Sequence, residues 1–211
     1  MAHIAKALDK NAQDALTAEN VLNDLLDGNK RFTGDSLNTV DNKALVQQTT
    51  GGQFPKAVIL SCIDSRVPVE TVFDQAIGDV FVARVAGNFE NTDILGSMEY
   101  SCKVAGSKLV FVLGHEACGA VKAACDGVEL GNITSMLENI KPAVELSKGQ
   151  TSGEHNSKNN TFVANTVANN VKLTIKRIRE KSPILKEMED QKEIKIVGGV
   201  YSLTTGEVNL V

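Results

Sequence analysis

AVILSCIDSR (residues 57–66) and LVFVLGHEACG (residues 109–119) are the two stretches whose reading decides the fold. Each opens on a short run of apolar or small residues without the polar alternation of a half-exposed strand. Such runs read as parallel strands buried on both faces. Residues 80–85 form a third run of the same kind, and helical stretches around 69–75 and 93–104 separate the three. Alternation of strands and helices predicts an α/β sheet with helical cover.

Working outward, Thr17 is placed to cap a helix running to about Phe32, with Val21, Leu22, Leu25, Leu26 and Phe32 at helical spacing. The opening MAHIAKALDKNAQDAL reads as a polar amphipathic helix, and a loop or short helix leads to Gln48. On the C-terminal side a helix starts near Gly119, residues 133–146 are helical, and 149–160 form a polar loop. A long helix over 162–181 carries the stripe Val163, Val167, Val171, Ile175 and Ile178, and Ser182-Pro183 ends it. A short helix near Leu185, a strand over 194–203, a turn at Thr205-Gly206 and a last strand over 208–211 complete the chain. The expected architecture is one α/β domain over residues 1–211. It has a helical arm (1–50) and a core (56–211) built on a mostly parallel four-stranded sheet, extended by a C-terminal strand, with helices on both faces. Helices at both ends exceed what so small a sheet needs, which predicts a twin subunit embraced by them, as a homodimer or a dimer of dimers.

Composition bounds the function. With 211 residues, the chain buries roughly 70% of its unfolded surface on folding. A net charge of −4 advertises no basic face for nucleic acid or anionic membrane. Tryptophan is absent and aromatics total 4%, leaving few platforms for stacking on bases or sugars. The longest apolar runs fall far short of the about 20 residues that span a bilayer. No N-terminal stretch reads as a secretory signal, so a reduced, cytoplasmic setting is expected, or an organelle or periplasm had a leader been trimmed.

The chemistry lies in Cys62, Asp64 and Arg66 on one stretch and His115 and Cys118 on the other. Both groups follow a strand, so one sheet edge receives both, and in open parallel sheets that edge is where ligands bind. Two thiols, an imidazole and a carboxylate are the donor set zinc prefers. Cys118 also begins a helix, where free N–H groups favour thiolate. Taken singly, each cysteine reads as a small buried hydrophobe, and Asp64 with Arg66 as a structural ion pair. Four coordinating groups at matching strand ends read as a metal site. A structural zinc site uses Cys and His alone, whereas a carboxylate tied to an arginine is a ligand that can leave.

Ser61-Cys62-Ile63-Asp64-Ser65-Arg66-Val67-Pro68, Arg84-Val85-Ala86-Gly87-Asn88 and Gly114-His115-Glu116-Ala117-Cys118-Gly119 together resemble the β-class carbonic anhydrases. Gly28-Asn29-Lys30-Arg31-Phe32, Gly96-Ser97-Met98-Glu99-Tyr100 and Gly199-Val200-Tyr201 extend the resemblance over nearly the whole chain. It implies one zinc ion per chain on Cys62, His115 and Cys118, with water, hydroxide or, in a closed state, Asp64 in the fourth position. It further implies reversible hydration of carbon dioxide to bicarbonate and a proton by attack of zinc-bound hydroxide. Arg66 would hold Asp64 off the metal, and Asp64 would accept the hydroxide's hydrogen bond.

Gln53, Phe81, Tyr100 and Gly119 match substrate-pocket positions, the two aromatics near a dimer interface. A bicarbonate-regulated subgroup carries Trp three residues before the first zinc cysteine. Here that residue is Ile59, although Arg84 and Tyr201 match the other two members of that effector site. The resemblance is therefore to the plant-like, type I arrangement. In many relatives Asn follows the arginine, where this chain has Val85. Rival readings are hydrolysis of carbonyl sulfide or carbon disulfide on the same site, a non-catalytic zinc module and a cysteine redox sensor. Cys102 and Cys125 read as free buried thiols, His3 and His155 as bystanders, and the basic side of 172–181 as a solvated helix face.

Two thiolates push negative charge onto zinc and weaken the acidification of bound water that three neutral imidazoles produce. Carbon dioxide hydration followed by stopped flow is therefore expected to climb from pH 6.5 to 9. A rate that is flat or falls over that range contradicts the assignment of two thiolate ligands.

Overall fold

The computed structural model describes residues 6–211. Five strands, β1 (Ala57–Ser61), β2 (Val80–Arg84), β3 (Leu109–His115), β4 (Lys195–Tyr201) and β5 (Val208–Leu210), form one sheet in the order β2-β1-β3-β4-β5. The first four are parallel, as the sequence predicts, and the C-terminal strand β5, whose direction the sequence leaves open, is antiparallel. Ser61 pairs with both Arg84 and Leu113, so Cys62 leaves β1 beside the ends of β2 and β3. That register brings the two chemistry-bearing stretches to one edge.

Ten α-helices surround the sheet among the described residues. In chain order they are α1 (Lys10–Asp14), α2 (Ala18–Thr33), α3 (Asn42–Gln48), α4 (Val69–Val72), α5 (Thr92–Glu99), α6 (Gly119–Cys125), α7 (Gly131–Glu138), α8 (Lys141–Lys148), α9 (Asn160–Lys181) and α10 (Pro183–Asp190). Successive strand residues face opposite sides of the sheet. Val58, Leu60, Val110 and Val112 pack under α5, α9 and α10, while Ala57, Ile59, Leu109 and Phe111 pack under α2 and α4. Both faces are thus dry, which is why β1 and β3 are apolar at nearly every position. Helix α9 lies close to the sheet because Gly114 and Gly198 carry no side chain. A Cβ on either would come within 2.7 and 2.6 Å of Val171 methyl carbons.

Several boundaries differ from the sequence reading for physical reasons. β3 extends to His115 because that residue still pairs with Tyr201 of β4. Helix α4 stops early at Val72, and Asp74 turns the chain at φ +50° with its carboxylate held by Arg31 and Asn38. The helix expected over 93–104 is α-helical only to Glu99 and continues as a π-helical turn, closed by Ala105 N–H donating to the Tyr100 carbonyl. The wider turn leaves Tyr100 outside and Cys102 inside. The stretch 133–146 is two helices, broken at Asn139-Ile140 with Pro142 in the first turn of α8. Of the expected opening helix, Lys10–Asp14 forms, capped by Asp9, and residues 1–5, including His3, lie outside the described residues.

The N-terminal helices are not a free arm. Val21, Leu22 and Leu25 of α2 are buried against the chain's own sheet, so burial within the subunit, rather than a partner, accounts for α2. The Gly28-Asn29-Lys30-Arg31-Phe32 stretch fastens it there. Asn29 donates to the carbonyls of Val72 and Gly206 and accepts from Val208 N–H. Gly28 lies so close to α4 that a Cβ would sit 1.9 Å from the Phe73 carbonyl oxygen. Helix propensity alone favours Gly28→Ala by about 1 kcal/mol. A backbone oxygen cannot rotate away, so overpacking by ~1–3 kcal/mol is expected to win and lower the thermal midpoint. A raised midpoint would contradict the close α2–α4 packing.

Candidate metal centre

The centre is built from two turns at the carboxyl edge of the sheet, backed by the loop after β2. The first follows β1. Cys62 is buried, and its sulfur accepts the Gly87 N–H at 3.4 Å from the loop after β2. Arg84, the last residue of β2, donates to the carbonyls of Cys62 (2.8 Å), Asp64 (2.7 Å) and Val67 (3.2 Å). One guanidinium thereby holds three points of the 62–67 turn. Within that turn Asp64 is gripped by Arg66: Nε reaches Oδ1 at 2.9 Å, Nη2 reaches Oδ2 at 2.8 Å, and the Arg66 N–H adds a third bond at 2.9 Å. This fork holds the Asp64 carboxyl well below the usual carboxylate range.

The second turn follows β3. His115 is 0% exposed. Its Nδ1 lies 2.8 Å from the Glu116 carbonyl, which assigns the proton to Nδ1 and the lone pair to Nε2. That Nε2 is buried without a hydrogen-bond partner and lies 3.8 Å from Asp64 Oδ2. Glu116 ties the turn to the end of β4: its N–H donates to the Tyr201 carbonyl, and Oε2 accepts from Ser202 Oγ and Leu203 N–H. Ala117 then takes φ +51°, a left-handed conformation that costs about 1–2 kcal/mol outside glycine. It reverses the chain so that Cys118 enters α6 beside the other donors.

The two sulfurs stand 3.9 Å apart, and all three donor atoms lie within 4.8 Å of one another. Tetrahedral zinc with Zn–S bonds near 2.3 Å places two thiolates about 3.8 Å apart. A buried, unpartnered imidazole nitrogen beside two buried thiols at that separation fits zinc. In the pair itself, the hydrogen bond from Cys118 draws the Cys62 thiol down against the opposing effect of burial, with the Gly87 N–H assisting. The same bond pushes Cys118 up, reinforced by burial and by the charge on Cys62. A cation between the two sulfurs would favour the thiolate form of both.

A family profile described as carbonic anhydrase matches residues 57–208. The fold is similar to the Coccomyxa beta-carbonic anhydrase in complex with acetazolamide, with a TM-score of 0.70 and 25% identity over 78% of this chain and 75% of that one. The chain belongs to the β-class carbonic anhydrases. The carbonic anhydrase of Mycolicibacterium smegmatis is 34% identical over 192 residues, 88% of this chain and 89% of its own length. A structure of two tetrameric beta-carbonic anhydrases from Sordaria macrospora matches with a TM-score of 0.69 and 26% identity, over 81% of this chain and 87% of that one. The protein is thus a carbonic anhydrase that hydrates carbon dioxide, and Cys62, His115 and Cys118 are the triad typical of the β-class zinc site.

Of the remaining pocket candidates, Gly119 lies beside that triad and Gln53, Phe81 and Tyr100 do not. Gly119 adjoins Cys118 at the first turn of α6, with open space in front of its Cα. Phe81 and Tyr100 meet edge to face at 6.2 Å and line a groove of about 750 Å³ with Val58, Ala83, Thr92 and Gly96, to one side of the metal ligands. Tyr100 is 55% exposed, so plain core packing does not explain it. Gln53 is exposed at the opposite edge, beside Thr49, Ile77 and Gly78. The five residues of β1 separate it from Cys62 by roughly 16 Å of strand.

Cys102 is free and buried, its thiol pushed up to about 12 by burial, and Cys125 is free and half-buried. The basic side of α9 is only partly solvated. Arg177 and Lys181 pair with buried Glu90, and Arg179 pairs with Glu189.

Arg84 is the functional residue the sequence reading placed elsewhere, as a match to an effector site. No sequence pattern signals this role: the pairing of Ser61 with Arg84, which sets a long donor beside the carbonyls of the turn, exists only in the register of the folded sheet. Arg84→Met keeps the stem and removes all three bonds. It is expected to cut carbon dioxide hydration by about tenfold or more with unchanged circular dichroism. Full activity in that variant would contradict the clamp.

Proposed function

We propose that the enzyme works in the open, type I arrangement, with Asp64 as the group that orients the nucleophile and Arg66 as the group that holds Asp64 ready. The observation that carries this reading is the three-bond grip of Arg66 on Asp64, with Asp64 Oδ2 only 3.8 Å from His115 Nε2. Zinc held on Cys62, His115 and Cys118 would supply a Lewis acid that acidifies bound water, less strongly than a site of three neutral imidazoles does. Ionised Asp64 offers only acceptor oxygens. It takes a hydrogen bond from the attacking oxygen and turns that oxygen's lone pair toward carbon dioxide. Release of the Arg66 fork would let Asp64 swing to the metal position and close the site. Gly119 N–H, unpaired at the start of α6, is placed to receive a substrate oxygen.

Gln53 fits a substrate-orienting role only across a subunit boundary, since its own strand carries it away from its own metal centre. β2 is an edge strand whose residues are half-buried, and it borders the exposed Phe81–Tyr100 groove. A twin subunit laid along that edge would cover the groove and exchange Gln53 between sites. This supports a homodimer, or a dimer of dimers; the Sordaria relatives are tetrameric. We read residues 1–50 as part of the same domain as 56–211 and place the protein in the cytoplasm. Among the described residues no helix is long and apolar enough to cross a membrane.

Asp64→Ala is expected to keep zinc and lose hydration activity, and Gln53→Ala to be impaired. Mixing the two variants through mild dissociation and reassociation is expected to recover activity that neither shows alone, because a hybrid dimer holds one site with both residues intact. No recovery, with hybrids demonstrated by mass spectrometry, would contradict the exchange of Gln53. Undiminished activity in Asp64→Ala would contradict the role given to Asp64.

A further inference from the structure

Helix α9 reaches the metal centre through a path that the ligand triad does not reveal. The Cys62 sulfur accepts one backbone N–H from outside its own turn, that of Gly87. Gly87 has φ +87°, in the left-handed region, and a Cβ there would lie 2.5 Å from Ile140 Cδ1. With no side chain of its own to restrict it, its orientation depends on what grips its peptide groups. The Gly87 carbonyl accepts from Asn170 Nδ2 at 2.7 Å, and Asn170 is buried on α9. Val171, the next residue, is the one that Gly114 and Gly198 admit close to the sheet. Helix position therefore sets Asn170, Asn170 sets Gly87, and Gly87 aims its N–H at the sulfur. The far end of the same loop is anchored separately, by Arg177 and Lys181 on Glu90.

We propose that Asn170 is a positioning residue for the metal centre: by holding the Gly87 carbonyl it directs the Gly87 N–H onto the Cys62 sulfur and sets that ligand's donor strength. An N–H bonded to a ligand sulfur draws off electron density and fixes its lone pairs, so its loss changes the metal–sulfur bond as well as the packing. Asn170 touches neither substrate nor metal donor atoms, so its effect has to be read at the metal.

The neighbouring Asn169 supplies the control. It is equally helical and buried, but donates to Ser147 Oγ and Gln150 Oε1 instead of the 85–91 loop. Zinc affinity of the holoenzyme variants is measured by chelator competition, with the thiolate-to-metal charge-transfer band of the cobalt-substituted forms as a second readout. Asn170→Ala is expected to weaken zinc binding about 10–100-fold and shift the band. Asn169→Ala is expected to lose thermal stability with both readouts unchanged. If Asn170→Ala does not fold, Asn170→Ser serves, because its hydroxyl can bond back within the helix but is too short to hold Gly87. Unchanged zinc affinity and band in the folded Asn170 variant would overturn the proposal. Equal loss of affinity in the Asn169 and Asn170 variants would overturn it too, by showing a packing effect alone.

Discussion

Bringing two cysteine sulfurs to 3.9 Å in a dry interior costs free energy unless a cation neutralises them and backbone groups hold them in place. Much of the architecture answers that requirement. Parallel pairing of β1 with β3 delivers Cys62 and His115 to one edge, and the left-handed turn at Ala117 brings Cys118 back toward them. Arg84, clamped on three carbonyls, holds the turn that carries Cys62, and the Gly87 N–H on the sulfur stabilises negative charge there. His115, with its proton committed to the Glu116 carbonyl, has one lone pair left and no partner for it but a metal.

The same turn contains the device that distinguishes a catalytic centre from a structural one. A purely structural zinc site needs no carboxylate beside it. Here Asp64 stands next to the donors and is held by three hydrogen bonds from a single arginine residue. An exposed ion pair of this kind contributes little to stability, so its value lies in where it puts the carboxylate. The fork makes Asp64 an acceptor with a fixed direction.

The centre of the sheet was legible because two dry faces impose apolar runs on β1 and β3, and because both metal stretches sit directly behind those runs. The ligand triad was legible for the same reason: Cys62 and His115 lie at strand ends, and Cys118 follows His115 by three residues at the start of α6. What sequence could not supply was distance in three dimensions. Gln53 sits only nine positions before Cys62, yet a straight strand carries it to the far edge. Arg84 and Asn170 act on backbone carbonyls, and no side-chain pattern marks a carbonyl as a target. The break between α7 and α8 and the π-helical turn at Tyr100 arise from tertiary packing that overrides a continuous helical pattern.

The central claim is that two sulfurs and one imidazole, brought together by the sheet register, bind the catalytic zinc. Zinc-edge X-ray absorption on active protein of assayed metal content tests it most directly. The account predicts one zinc per chain with two sulfur ligands near 2.3 Å, one imidazole and one light-atom ligand in a four-coordinate shell. Full activity with zinc well below one per chain, or a shell with fewer than two sulfurs, would contradict it.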